Sequence, residues 1–244
     1  MFLRRPELHP LKGYRRPVAW FVIHLVMKIG TTRLETLSDG VVAIVITIMV
    51  LELKLPEYEK DITARQVFAT LHHLLPFLIS YAVSFVTVAI LWTNHHHMFH
   101  LLEKTDEYLV WTNFLFLFFV SLIPFATRIV GENPFLSVSI AIYGLVMLLT
   151  TVSFALMRQH SLRKKLLHQD ENKEMTDQIL KVSFKARRKT VAAICIYLVS
   201  IPLAFVHVYL AYACFLVPII LFFIPEGIDN EELAEKVDDK NTSL

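Results

Sequence analysis

The chain has 244 residues, 55% hydrophobic and 12% aromatic, and its 24 Lys and Arg nearly balance 22 Asp and Glu. With a mean hydropathy of +0.52, it is too apolar for an ordinary soluble domain of this length. The net charge is only +2, and no nucleic-acid partner is expected of it.

Residues 1 to 32 open with Arg4, Arg5, Lys12, Arg15 and Arg16, then an apolar stretch from Val18 to Ile29 that His24 and Lys28 interrupt. The stretch is short for a span and lacks a small-residue cleavage site, which predicts an interfacial helix rather than a signal peptide. The first span, about 33 to 55, is the weakest by hydropathy. Only Gly40 to Leu51 is free of charge, about 18 Å as a helix. Its Val and Ile content also suits a strand. A lone strand in lipid would leave its backbone groups unpaired, so a helix is predicted.

Charge-free runs follow from Gln66 to Leu102, Tyr108 to Thr127, Asn133 to Met157 and Thr190 to Pro225, each long enough to cross a hydrocarbon core with about 20 helical residues. The last would make a helix of roughly 50 Å against a core of ~30 Å. It is predicted to fold back near His207, Val208 and Tyr209, which places Pro202 and Pro218 in two short helices. The fold class is thus all-α: a polytopic membrane protein with six transmembrane helices, at about 33–55, 71–93, 107–127, 134–157, 190–207 and 209–225. The linker 158–189 reads as cytosolic and amphipathic or headgroup-contacting, and residues 226–244 as an acidic, solvated cytosolic tail. Cys195 and Cys214 fall within spans, at a spacing that indicates neither a disulfide nor a metal site.

Six spans put both termini on one side with the connections around 94–106 and 158–189. That side holds roughly 20 of the 24 basic residues, the asymmetry of a cytoplasmic face. On a helical wheel of the first span, Ile44, Thr47, Ile48 and Leu51 share one face. Asp39, Val42, Ala43, Ile46 and Val50 lie roughly opposite. Glu35 and Asp39 are four apart and repel, so one must be neutralised by a cation or by protonation. The topology brings the end of the second helix (Trp92, Asn94, His95, His96, His97) and the start of the third (Asp106, Trp111, Asn113) to the depth of Ser38 and Asp39. A polar network of Arg33, Ser38, Asp39, His95, His96, Trp111 and Asn113 is therefore expected to bind three helices together, with Asp39 structural rather than an ion ligand. His96 and His100, four apart, can share a face toward a metal. No carboxylate or Cys completes a set nearby in sequence, and HExxH spacing is absent; no metal, no cofactor and no enzyme activity are expected.

The run Arg33-Leu-Glu-Thr-Leu37-Ser38-Asp39, followed by Gly40-Val-Val-Ala-Ile44, resembles the RxxxFSD signature that opens the transmembrane protein 175 potassium channel family, with Leu37 where the family has Phe. WTNHHHMF from Trp92 and WTNFLFLFFVSLIPFAT from Trp111 resemble the family's second-helix end and third helix, so the likeness covers most of residues 33–157. It implies a cation channel whose first helix lines a pore at the oligomer axis, in a homotetramer for a chain with one signature. Carried across by position, the constriction is Ile44 and Leu51 with Thr47 between them. Ile44 stands about 16 Å along the helix from Arg33. An apolar ring there gates by dewetting, and a Thr ring offers hydroxyls to a passing cation. No TVGYG filter is present, so potassium is expected to be favoured over sodium by a modest margin, in a prokaryotic plasma membrane. A proton-coupled transporter or proton-conducting channel is the rival reading. The paired repeats and interrupted helices of transporters are not visible.

Overall fold

A computed structural model describes residues 30–53, 64–164, 166–167 and 173–223, excluding the side chains of 64–73, 173–179 and 182. The expected interfacial helix before residue 30 and the acidic tail 226–244 lie outside the described residues.

The described residues are helical almost throughout. Helix α1, Thr31–Met49, tightens into a 3-10 turn at Val50–Glu52. Helix α2, Ala64–His100, continues beyond the predicted end at residue 93, because no Gly or Pro between Asn94 and His100 interrupts it. The predicted third span is two helices, α3 (Glu107–Ser121) and α4 (Ile123–Glu132), divided at Leu122. Pro124 supplies the break, since it lacks an N–H and its ring crowds the carbonyl four residues back. Asp106 starts α3 by accepting the Leu109 N–H at 2.9 Å, a side-chain N-cap.

Helix α5 is Ser137–Arg163, α6 is Lys173–Val206, and α7 is Val208–Phe223. Much of the predicted linker is thus a helical continuation of α5 and α6. The chain folds back where predicted: His207 leaves the helix, donates its N–H to Leu203 at 2.8 Å and accepts the Leu210 N–H at 3.1 Å. Among the described residues, five helical segments are long and apolar enough to cross a membrane, and α7 is a shorter apolar helix. Among the described residues the only β-type pairing is an antiparallel bridge, Leu102 to Leu167, that ties the α2–α3 loop to the end of α5.

Helices α5, α6 and α7 pack in succession, α3 lies on α5, and α4 lies on α2. Helix α1 sits to one side, against α2 and α3 with a smaller contact to α4. Lipid tails are as apolar as Leu, so such helices are held by close packing and interhelical hydrogen bonds. One hydroxyl cluster does this in the interior: Ser84 of α2 lies 3.1 Å from the Tyr143 hydroxyl of α5 and 2.8 Å from the Thr127 hydroxyl of α4.

Candidate functional site

Helix α1 buries Leu34, Ser38, Val42, Val45 and Met49, a spacing of three and four residues that makes one stripe. The opposite arc is exposed and apolar: Leu37, Ile44, Ile48 and Leu51 are 43%, 57%, 43% and 67% exposed, with Thr47 among them. The arc is wider than the wheel indicated. Ala43 and Val50, set opposite Ile44 from sequence, are exposed with it, because α1 has neighbours along one side only. The Thr47 hydroxyl donates to the Ile44 carbonyl at 2.9 Å, which spends its proton within the helix and leaves its lone pairs facing outward. Leu51 stands in the 3-10 turn, past the end of the α-helix.

The buried stripe carries the polar contacts. Ser38, 0% exposed, donates to the Leu34 carbonyl at 2.8 Å and accepts from the Asn113 side-chain nitrogen at 2.9 Å. With that nitrogen engaged, the Asn113 oxygen accepts from His95 Nε2 at 2.8 Å. The His95 ring lies between Phe99 and Phe116, at centroid distances of 4.4 and 5.2 Å. One line of hydrogen bonds thus passes from α1 through α3 to α2.

A second line runs nearer the helix ends. Asp39 Oδ1 accepts from Trp92 Nε1 at 2.9 Å. The Trp92 ring stacks on His96, 5.3 Å between centroids. His96 Nδ1 stands 3.1 Å from Glu35 Oε1, and His96 Nε2 stands 3.1 Å from His100 Nε2. Glu35 and Asp39 therefore face different partners rather than each other's uncompensated charge.

Of the predicted network, the structure brings together Ser38, Asp39, His95, His96 and Asn113. It does not bring in Arg33, which is exposed and pairs with none of the described residues, or Trp111, which is 49% exposed beside Phe114. Glu35, Trp92 and His100 join the group without having been assigned to it. The four-residue steps Glu35–Asp39 and Trp92–His96–His100 carried that signal.

At its other end α1 is held by charge: Arg128 of α4 donates from Nε to Glu132 at 2.8 Å, and its Nη1 lies 3.5 Å from Glu52. The helix is fixed at both ends while its middle presents an apolar arc to the outside. Elsewhere, Asp106 meets His160 of α5 at 2.6 Å. Arg158 donates to Thr190 of α6 at 2.8 Å.

Comparison with known proteins follows the same region. A model of the family described as "Endosomal/lysosomal potassium channel TMEM175" matches residues 33–124. A potassium channel of Chryseobacterium sp. is 32% identical over 203 residues, 83% of this chain and 97% of that protein. The human endosomal/lysosomal proton channel TMEM175 is 33% identical over 129 residues, half of this chain but 24% of the human protein. The crystal structure of a lysosomal potassium-selective channel TMEM175 homolog from Chamaesiphon minutus superimposes with a TM-score of 0.67 at 28% identity, covering 80% of this chain and 97% of that one.

Proposed function

The chain belongs to the TMEM175 family of potassium channels, and from that premise we propose that it passes potassium along a pore formed by α1 from several copies, with Ile44 and Leu51 as the constriction and Thr47 between them. It is a multi-pass membrane protein and an ion channel, not an enzyme.

The observation that carries the pore assignment is the exposed arc of α1. Exposure of 57% at Ile44 and 67% at Leu51, on a helix anchored at both ends by polar contacts, supports a face reserved for other copies and for the conduction path. One helix cannot enclose a pore, so the copies are expected to close around a symmetry axis, as a homotetramer. Gly40, where an added Cβ meets nothing within 4 Å, lies on this arc, and small residues let helix backbones approach. An apolar ring admits an ion only when wetted, and outward Thr lone pairs partly replace its water. That mechanism predicts modest preference for potassium over sodium. The end bearing Arg163, Lys164, Lys181, Lys185, Arg187 and Arg188 is assigned to the cytosol, with both termini, in a prokaryotic plasma membrane.

Planar-bilayer recording of purified protein under opposed potassium and sodium solutions tests the reading. Discrete openings with a zero-current potential displaced toward the potassium equilibrium value are expected. A zero-current potential indifferent to the potassium gradient would refute it. The human relative's description as a proton channel favours a second reading, proton conduction. In that case the potential follows a pH gradient at fixed potassium. A saturating flux without unitary steps would instead indicate a proton-coupled transporter.

A further inference from the structure

We propose that Glu35, His96 and His100 form a binding site for a divalent transition metal of the zinc class, which joins the base of α1 to the end of α2. From sequence the two histidines lacked a carboxylate; the fold supplies Glu35 from another helix. Each of the three offers one ligand atom, and these atoms all lie within 4.8 Å of one another.

Imidazole nitrogen and carboxylate oxygen are standard zinc ligands, at bond lengths of about 2.0–2.2 Å, so the edge of a zinc tetrahedron is about 3.3 Å. One edge of that size is in place whichever His96 nitrogen binds the ion: 3.1 Å from His96 Nδ1 to Glu35 Oε1, or 3.1 Å from His96 Nε2 to His100 Nε2. An ion uses one His96 nitrogen, and rotation of the exposed His100 or of Glu35 closes the remaining separation. His96 Nδ1 is buried and, although 3.1 Å from Glu35 Oε1, makes no well-aligned hydrogen bond there, so the metal would engage a donor atom that lacks one. The His96 ring is fixed by stacking on Trp92, itself held by Asp39, the kind of outer support that orients a metal-bound imidazole. Three protein ligands leave a fourth position for water on the exposed His100 side. Two histidines and a carboxylate suit zinc, with copper as a stronger-binding competitor, better than they suit magnesium or calcium.

Binding would lock α1 to α2 about two and a half turns before Ile44. The consequence for current rests on the channel reading, whereas binding itself does not. The test uses the full-length chain in detergent, free of any affinity tag, stripped with a chelator and titrated with zinc alone. Metal analysis is expected to give one zinc per chain, and the melting temperature is expected to rise with zinc, since an ion that binds only the folded state stabilises it. Glu35→Gln and His100→Gln are each expected to weaken binding about tenfold or more, while His207→Gln, in the turn between α6 and α7, binds as the parent does. Failure of the parent chain to retain zinc, or equal affinity in Glu35→Gln and His100→Gln, overturns the proposal. The exposed His100 keeps the test decisive if Glu35→Gln folds poorly. A chain that binds zinc through these residues yet carries no potassium current would leave the metal site standing and remove only the channel reading. The opposite result would do the reverse.

Discussion

Ser38 has one proton and gives it to the Leu34 carbonyl, so toward Asn113 it can only accept. This fixes the orientation of the Asn113 amide and places the proton of neutral His95 on Nε2. Ser38→Ala would strand the Asn113 N–H in a fully buried position, at a cost of about 1–3 kcal/mol. Asp39→Asn keeps an acceptor for Trp92 at a half-buried position, so it should cost less. Thermal melting in one detergent checks the order, and a lower melting temperature for Asp39→Asn than for Ser38→Ala would contradict this account. Ile44 and Leu51 call for a different readout. Both are largely exposed in the protomer, so Ile44→Asn and Leu51→Asn are expected to enlarge conductance and weaken the potassium preference with little change in the fold of a single chain. Unchanged unitary currents in both variants would place the conduction path elsewhere.

At the scale of elements, close packing sets a second test. A Cβ on Gly131 of α4 would lie 2.6 Å from Cδ1 of Phe77 on α2, whereas one on Gly144 of α5 would meet Ser200 at 3.0 Å and Ile201 at 3.3 Å. Alanine gains about 1 kcal/mol over glycine within a helix, and overpacking costs about 1–3 kcal/mol. The gain roughly offsets the tighter contact at Gly144 but not the overlap at Gly131. Gly131→Ala should therefore melt lower than Gly144→Ala, and the reverse order would show that Phe77 yields freely. The helices and the fold-back at His207 were legible in the charge-free runs, because lipid solvation demands them. The break at Leu122 was not, because Pro124 stands in a run with no other interruption. The meeting of Ser38, His95 and Asn113 was legible from depth alone. The exclusion of Arg33 and Trp111 was not, since depth places a residue along a helix axis but does not say toward which neighbour it turns. Glu35 was overlooked as a partner for His96 for the same reason.

At the scale of the whole molecule, a single chain leaves the arc of α1 uncovered, and the proposed pore requires other copies to cover it. Native mass measurement of the detergent-extracted protein is expected to give four chains; a monomer that still conducts would require the path to lie within one chain. The fold-back at His207 has a different consequence, for the surrounding lipid. Beyond the fold-back the charge-free run reaches Pro225 before Glu226, at most about 27 Å if all of it is helical, against a hydrocarbon thickness of about 30 Å. Acyl chains beside the hairpin must shorten or the polar turn must sink, and each ångström of mismatch costs a fraction of a kcal/mol. Bilayer thickness thereby becomes a term in this protein's stability. In nanodiscs, lipids with shorter tails should give the higher melting temperature, and a melting temperature that rises with tail length would show that the hairpin is matched to a thicker membrane.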